Sequence, residues 1–201
     1  MYERIVGLYE ENAAAWDRLR GRDLFERPWI DRFIGELPAG GTVLDLGCGS
    51  GEPIGRYLVE SGFAVTGVDS SRSLIALCRE RLPAGEWVAA DMRTLDLERR
   101  FDGLIAWHSF FHLSPDDQRP MFARFAAHLR PGGTLTFTSG HGAGVRIGEW
   151  QGEPLYHASL DPAEYEALLA GSGFTLLDRR LRDPECGEAT VWLARHAPAT
   201  G

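Results

Sequence analysis

Residues 43–51, Val-Leu-Asp-Leu-Gly-Cys-Gly-Ser-Gly, constrain the fold more than any other part of the chain. They read as a short apolar strand that ends in an acid and runs directly into three alternate glycines. A second apolar strand, residues 65–69, also ends in an acid, Asp69. Glycines let a backbone approach a ligand where a Cβ would clash, and the second acid can accept hydrogen bonds from ribose hydroxyls. The pair predicts an α/β sheet that binds a nucleoside.

The spacing of this loop disfavours a dinucleotide. Its glycines follow G-x-G-x-G rather than G-x-G-x-x-G, and Asp45 stands two residues before the first of them. A carboxylate at that place would repel a pyrophosphate held at the loop and the helix N-terminus. It would suit a ligand that carries an ammonium group. S-adenosylmethionine (SAM), with a ribose, an ammonium, a sulfonium and no phosphate, is therefore the predicted ligand.

Further elements follow the two acidic strand ends in order. Residues 89–92 end a third strand in an acid, residues 101–108 form a fourth strand, and residues 129–135 place a Pro-Gly-Gly turn before a fifth. With these elements the chain resembles the class I SAM-dependent methyltransferases, and within them the ubiquinone/menaquinone C-methyltransferases and related small-molecule enzymes. The match spans residues 42–139, and the C-terminal layout extends it to about residue 196.

The resemblance implies SAM as cofactor and S-adenosylhomocysteine (SAH) as product, and it implies a role for each element. The glycine loop wraps the methionine end of SAM, Asp69 holds the ribose, and Asp91 takes the adenine amino group. The backbone amide of Met92 contacts the adenine ring, and Trp107 contacts the methionine part of SAM. The implied cofactor residues are Asp45, Gly47, Cys48, Gly49, Gly51, Asp69, Ser70, Asp91, Met92 and Trp107.

Strand and helix patterns alternate from residue 42 onwards, which is typical of βαβ units and a parallel sheet. We predict an α/β, Rossmann-like fold with a seven-stranded, mostly parallel sheet, helices on both faces and an antiparallel C-terminal hairpin strand. Ser114-Pro115 and Asp161-Pro162 are typical helix starts. Strands are expected near 42–46, 64–68, 86–89, 102–107, 134–139, 174–181 and 190–194, and helices near 2–20, 28–36, 52–61, 71–81, 115–129 and 161–171.

The 201 residues fit a single SAM-dependent methyltransferase domain. Its expected parts are an N-terminal helical cover (1–36), a SAM-binding core (42–139), a lid or substrate segment (140–160), and a C-terminal helix and hairpin (161–196). The segment 140–160 has the least regular pattern. Because it follows the fifth strand, it starts at the carboxyl edge of the sheet, where ligands of open α/β sheets bind. The alternative is a surface connection whose aromatic residues cover the core.

The charge and composition of the chain exclude several classes of binding partner. The net charge of −8 disfavours nucleic acid and anionic membranes. After the fourth strand the chain reads Trp-His-Ser-Phe (107–110) instead of the Asn/Asp-Pro-Pro-aromatic motif of nucleic-acid amino-methylating enzymes. Three cysteines make neither a disulfide framework nor a zinc motif, and we expect no metal. Without a secretory signal or a membrane-length apolar run, we expect a cytoplasmic monomer or homodimer with a small-molecule substrate.

Methyl transfer from a sulfonium is an in-line displacement that gains most from alignment and exclusion of water. A base is needed only if the nucleophile must lose a proton. The candidate bases are His108, His112 and His141, which lie at neighbouring strand or loop ends, and imidazole titrates near neutral pH. Each of them can equally be a structural histidine.

The N-terminal helix offers further cofactor contacts. Tyr9 and Trp16 lie seven residues apart and so on one helix face, where aromatic rings can attract a sulfonium. Arg20 can pair with the SAM carboxylate. The alternatives are core packing for the two aromatic residues and a surface position for the arginine. Candidate substrate contacts in the segment 140–160 are Trp150, Tyr156 and His157.

The predicted function is SAM-dependent methyl transfer to a small-molecule acceptor. An oxygen or nitrogen nucleophile is favoured, and carbon is possible. One alternative is a protein that binds SAM or SAH without transferase activity. Another is a protein methyltransferase, which would need a peptide-sized groove.

Overall fold

A computed structural model describes residues 2–198 and shows alternating strands and helices from residue 42 onwards. The strands are β1 (Thr42–Leu46), β2 (Ala64–Asp69), β3 (Glu86–Ala89), β4 (Phe101–Ala106), β5 (Leu129–Ser139), β6 (Gly144–Trp150), β7 (Glu153–Ser159), β8 (Phe174–Asp183) and β9 (Ala189–His196). The helices are α1 (Tyr2–Glu11), α2 (Ala13–Leu19), α3 (Arg27–Gly35), α4 (Ile54–Glu60), α5 (Arg72–Arg81), α6 (Pro115–His128) and α7 (Pro162–Gly171). Single 3-10 turns cover Phe110–His112 and Pro184–Cys186.

Seven of the strands form one sheet in the order β3-β2-β1-β4-β5-β9-β8. The first five strands of this order pair in parallel, and β9 runs antiparallel to both of its neighbours. The predicted α/β, Rossmann-like fold is therefore confirmed. The chain winds outward from β1 in both directions, so a crevice opens between the carboxyl ends of β1 and β4.

Helices cover both faces of the sheet and create two apolar clusters. On one face, Phe110, Phe122 and Phe125 pack against Phe137 of β5 and Trp192 of β9. The larger members of the cluster on the other face are Trp29, Phe33, Ile54, Leu58, Ile75, Trp87 and Leu193. Strands that are buried on both faces have continuous apolar runs in their sequence, which is why the sequence predicts β1 and β4.

Both predicted helix starts are confirmed by capping hydrogen bonds. The Ser114 hydroxyl accepts the N–H of Asp117 at 3.1 Å, and an Asp161 carboxylate oxygen accepts the N–H of Ala163 at 2.9 Å. In each helix a proline occupies the first turn, where no N–H is needed.

The single N-terminal helix expected over residues 2–20 is wrong in detail. The structure divides it into α1 and α2, with Asn12 between them. The Asn12 side chain donates a hydrogen bond to the carbonyl of Leu8 at 3.0 Å, which satisfies one of the last acceptors of α1. The fifth strand also begins earlier than expected, at Leu129 instead of near residue 134.

The irregular pattern expected over 140–160 is also wrong, because β6 and β7 form a regular antiparallel hairpin. Its turn places Gln151 and Gly152 at φ +55° and +79°, the left-handed conformations that tight hairpin turns require. Glycines and exposed side chains interrupt the apolar alternation of β6. The sequence therefore lacked the period-two signal by which strands are recognised.

The hairpin supports α1 above the carboxyl edge of the sheet. Tyr156 and Ala158 of β7 form a small apolar cluster with Ile5 of α1. The buried Gln118 side chain donates to the carbonyl of Ala158 at 2.9 Å, which joins the hairpin to α6. Within residues 2–198, every helix is too short or too polar to cross a membrane.

The junction of β5 and β9 is expected to carry much of the stability. Trp192 is fully buried, stacks on Phe137 with an interplanar angle of 2°, and donates its indole N–H to Ser139 at 2.9 Å. Trp192→Ala should lower the free energy of unfolding by about 3–5 kcal/mol, because it opens a cavity and breaks a buried hydrogen bond. Urea unfolding measures this change. The control is Leu177→Ala on β8, where the side chain is 42% exposed; equal losses in both variants would contradict the assignment.

Candidate functional site

The glycine loop after β1 is packed so closely that side chains cannot replace two of its glycines. Gly47 and Gly49 have φ of +77° and +56°, a region that disfavours residues with a Cβ. A Cβ added to Gly47 would lie 2.1 Å from the Cβ of Ser109, and one added to Gly49 would lie 2.6 Å from the Trp16 ring. The bare backbone of the loop therefore faces the crevice between β1 and β4.

Asp69, at the end of β2, holds this loop in place. One carboxylate oxygen accepts the N–H of Gly49 and the other accepts the N–H of Ser71, each at 2.9 Å. Burial raises the pKa of Asp69. Each carboxylate oxygen has a further lone pair, so the group can also accept hydroxyl donors from a ligand.

Asp45 lies beneath the loop as a buried acid without a counter-charge. Its side chain is 4% exposed and makes no hydrogen bond or ion pair within residues 2–198. Burial, and then the nearby Asp69 carboxylate, raise the pKa of Asp45 to about 7. A cation bound at the loop would favour the ionised form and lower this pKa. The donor set therefore fits a ligand with an ammonium group.

A small cavity, which we name the cofactor cavity, lies between the loop and the N-terminal helices. Its volume is about 70 Å³, whereas ligand pockets usually measure about 300–1,000 Å³. Some of its lining groups therefore have to move to admit a nucleoside. The residues that line it are Ile5, Val6, Tyr9, Trp16, Gly47, Gly49, Val68, Asp69, Ser70, Leu74, Ala90, Met92, His108, Ser109 and His112.

Two acids anchor the N-terminal helices over this cavity. Glu10 of α1 accepts hydrogen bonds from the hydroxyls of Ser71 and Ser73 at 2.6 and 2.8 Å. Asp17 of α2 forms a two-point ion pair with Arg81 of α5 at 2.6 and 2.8 Å. The aromatic roof that they hold consists of Tyr9, Trp16 and Trp150; Tyr9 meets Trp16 edge-on and stacks on Trp150.

His112 is fixed by hydrogen bonds on both ring nitrogens. Nδ1 lies 2.9 Å from the carbonyl oxygen of Tyr156, and Nε2 lies 3.1 Å from the Tyr9 hydroxyl. A carbonyl oxygen only accepts, so Nδ1 carries the proton and Nε2 accepts from Tyr9. Burial lowers the pKa of His112 to about 4. This histidine therefore stays neutral and links the roof to the hairpin.

His108 has a different environment, because no described residue forms a hydrogen bond with its ring. Its backbone takes a left-handed conformation, with φ +49°, and its N–H donates to the Thr138 hydroxyl at 2.9 Å. Burial, and then the positive charge of Arg20, lower its pKa to about 4. Strained non-glycine residues often occur at functional sites. The neutral ring is thus available to a ligand.

A second cavity of about 610 Å³ lies on the other side of His108. Its walls come from the end of β5, the β6-β7 hairpin and the turn between β8 and β9. The residues that line it are His108, Phe111, Ser139, Gly140, His141, Gly142, Ala143, Gly144, Val145, Arg146, His157, Ala158, Ser159, Arg182, Gly187, Glu188 and Ala189. Because His108 belongs to both walls, the two cavities are adjacent.

The predicted site residues divide between these walls and the surrounding shell. The cofactor cavity contains Tyr9, Trp16, Gly47, Gly49, Asp69, Ser70, Met92, His108 and His112, and the second cavity contains His108, His141 and His157. The remaining predicted residues, which line neither cavity, are Arg20, Asp45, Cys48, Gly51, Asp91, Trp107, Trp150 and Tyr156.

Several residues of the shell already have protein partners. Arg20 pairs with the buried Glu26 at 3.1 Å, and Asp91 is bound by the Arg93 side chain at 2.7 Å. Cys48 and Trp107 are buried in the apolar cluster beneath the loop. Gly51 also lies there, since a Cβ on it would meet Leu82 at 2.9 Å.

Sequence reasoning missed Ser109 and Arg146. Ser109 covers Gly47 and donates its hydroxyl to the carbonyl of Leu46 at 2.6 Å. Its place after the fourth strand was a usable signal. Arg146 lies on β6, and the sequence gave no sign of that strand.

Comparison with known proteins identifies the class. Residues 43–133 match the family model of a methyltransferase domain. A solved 1,6-didemethyltoxoflavin-N1-methyltransferase from Burkholderia thailandensis, with 1,6-didemethyltoxoflavin and SAH bound, has a TM-score of 0.74 and 26% identity. The match covers 98% of this chain and 87% of that one.

Two curated relatives agree with this class. The trans-aconitate 2-methyltransferase of Azoarcus sp. (strain BH72) is 36% identical over 154 residues, which are 75% of this chain and 54% of that protein. The malonyl-[acyl-carrier protein] O-methyltransferase of Enterobacter lignolyticus (strain SCF1) is 33% identical over 117 residues, which are 57% and 45% of the two chains.

Residues 43–133 thus resemble a methyltransferase domain, and the chain has the fold of the class I SAM-dependent methyltransferases. The ubiquinone/menaquinone-like subgroup stays a prediction. The chain spans less than two thirds of the length of the first curated relatives that it matches. Its own activity and acceptor are therefore proposals.

Asp45 should make stability depend on pH. Its folded-state pKa of about 7 lies above the ordinary value of about 3.9, so its stabilising effect is complete below pH ~4 and is lost as pH rises through ~7. Between pH 5 and pH 8 the wild type should lose about 2–3 kcal/mol relative to Asp45→Asn, which has no titrating group. Urea unfolding at several pH values measures this difference.

The control for this experiment is Asp96→Asn, which changes an exposed loop acid. Its stability should follow that of the wild type across the whole pH range. Parallel profiles for the wild type and Asp45→Asn would show that Asp45 is ionised in the ligand-free protein, contrary to the prediction.

Proposed function

We propose that this protein transfers a methyl group from SAM to a small-molecule acceptor, with an oxygen or nitrogen nucleophile favoured and carbon possible. The observation that carries the proposal is the position of His108 in the walls of both cavities. A cofactor in the first cavity and an acceptor in the second would meet at this residue. Two adjacent sites are what a transfer reaction between two bound molecules requires.

The residues around the first cavity have the chemistry to hold SAM. The Asp69 carboxylate would accept hydrogen bonds from the ribose, while the glycine backbone approaches the methionine part. The Asp45 carboxylate would offset the ammonium charge. Apolar side chains such as Leu74 and Met92 suit the adenine ring, and the faces of Tyr9 and Trp16 suit a sulfonium. When bound, SAM supplies an electrophilic methyl group.

The chain's own contribution to the reaction would be alignment and exclusion of water. The roof anchored through Glu10 and Asp17 closes the cofactor cavity, and water exclusion strengthens the electrostatic interactions inside. His108, with a pKa of about 4, is a weak base at neutral pH. We propose that it accepts a hydrogen bond from the acceptor and orients it. His112 would hold the roof, and His141 remains a candidate in the second cavity.

The names of the relatives support an oxygen or nitrogen acceptor. Two of them are an O-methyltransferase and an N1-methyltransferase. The first is named for malonyl-[acyl-carrier protein], and the second is solved with 1,6-didemethyltoxoflavin bound. A cytoplasmic location and a monomeric or homodimeric state stay predictions of the sequence.

Calorimetry with SAM and SAH tests the cofactor site through Asp69→Ala. The wild type should bind both ligands, and the variant should bind about 10- to 100-fold more weakly, because hydrogen bonds to a charged group contribute about 1.5–3 kcal/mol. The control is Asp116→Ala, an exposed acid at the start of α6, which should bind like the wild type. Absence of binding to the wild type would contradict the proposal.

A second outcome separates the proposed enzyme from its alternative. Purified protein with bound SAM is incubated with pooled small metabolites, and release of SAH is measured. Acceptor-dependent release supports a methyltransferase. Tight binding without stimulation by any pool would favour a protein that binds SAM without transferring its methyl group.

A further inference from the structure

We propose that the second cavity takes a methyl acceptor that carries a carboxylate, and that Arg146 is the residue that binds this carboxylate. The inference deepens the proposed function and rests on it, since it assigns a class of acceptor to the same transfer reaction. It assigns Arg146 a positioning role: the carboxylate is held away from the reacting atom, which lies at the His108 end of the cavity.

The wall of the second cavity carries one positive charge that no described residue offsets. Among the lining residues, the side chains with a permanent charge are Arg146, Arg182 and Glu188. Arg182 and Glu188 pair with each other at 3.1 Å, so their charges offset. Arg146 forms no ion pair within residues 2–198. The described wall therefore has a surplus of one positive charge, and that charge belongs to Arg146.

Arg146 lies on the same face of the hairpin as His157. The two residues are direct partners in the β6-β7 register, and the positive charge of Arg146 contributes, after burial, to the lowered pKa of His157. Arg146 lines the second cavity but not the cofactor cavity. His108 and Arg146 therefore mark different parts of the cavity, one shared with the cofactor site and one that belongs to the second cavity alone.

The rings between these two residues suit a planar acceptor. Phe111 packs against His157 with ring centroids 5.1 Å apart and against His108 at 5.8 Å. Aromatic faces stack well on flat, conjugated groups. The volume of about 610 Å³ falls within the ordinary range for small-molecule pockets, about 300–1,000 Å³.

The neutral hydroxyls in the wall already take part in hydrogen bonds within the protein. Ser159 Oγ accepts the N–H of Gly140 at 2.7 Å. Ser139 Oγ donates to the carbonyl of Gly140 at 2.8 Å and accepts the indole N–H of Trp192 at 2.9 Å. The strongest donor in the wall is therefore Arg146, whose charge no described residue offsets, and a guanidinium matches the geometry of a carboxylate.

The test uses the whole 201-residue chain saturated with SAH, so that added probes report on the second cavity. Benzoate and benzamide, which share a shape and differ in charge, are titrated by NMR into the wild type and Arg146→Gln. We expect the wild type to bind benzoate about tenfold more tightly than benzamide and the variant to lose that preference, because one charged pair is removed. SAH affinity should be unchanged.

The matched control is Arg119→Gln, which removes an exposed arginine of α6 outside both cavities. It should keep the benzoate preference. Equal binding of the two probes to the wild type, or an unchanged preference in Arg146→Gln, would overturn the inference while leaving the proposed function intact. Inorganic phosphate displacing benzoate at lower concentration would overturn the carboxylate assignment. Failure of the wild type to bind SAH would remove both proposals.

A kinetic readout separates positioning from structural damage. Carboxylate acceptors found by the metabolite screen should show a KM about tenfold higher in Arg146→Gln at nearly unchanged kcat. Their amide analogues should be affected little. A general loss of kcat for charged and neutral acceptors alike would indicate a structural role for Arg146 and contradict the inference.

Discussion

The Asp69 carboxylate is the interaction on which the rest of the site depends. It accepts one amide hydrogen from the glycine loop and one from the start of α5, so it joins two segments that leave neighbouring strands. Because the loop is thereby fixed, Ser109 can pack directly over Gly47. Ser71, whose amide Asp69 binds, also caps α5 and bonds to Glu10. A single acid therefore connects the sheet, the loop and the helical roof.

This arrangement has a cost that a cationic ligand would offset. Two acids, the buried Asp45 and the half-buried Asp69, lie near each other, and desolvation raises the pKa of both. Only Asp69 has hydrogen-bond donors to stabilise its charge, while Asp45 has none within the described chain. Binding of an ammonium group would favour the ionised form of Asp45. A bound cation would therefore make the electrostatics of this site more favourable.

Much of the fold could be read from the sequence because its signals are local. Strands buried on both faces gave apolar runs, and Ser114 and Asp161 marked helix starts through their own capping bonds. The β6-β7 hairpin gave no such signal, since β6 is largely exposed and contains glycines. The break between α1 and α2 was missed as well, because both halves keep apolar residues on one face and Asn12 is a weak interruption.

The sequence by itself determined the glycine loop and the acidic strand ends beside it. An acid, alternate glycines and a second acid lie at ends of adjacent strands, and sheet geometry brings such ends together wherever the strands pair. Only the tertiary structure decided the second cavity. Phe111, Arg146 and Arg182 come from three separate segments and meet through the packing of a hairpin and a turn. No short-range sequence pattern predicts that these three residues lie together, because their proximity depends on contacts between residues far apart in the chain.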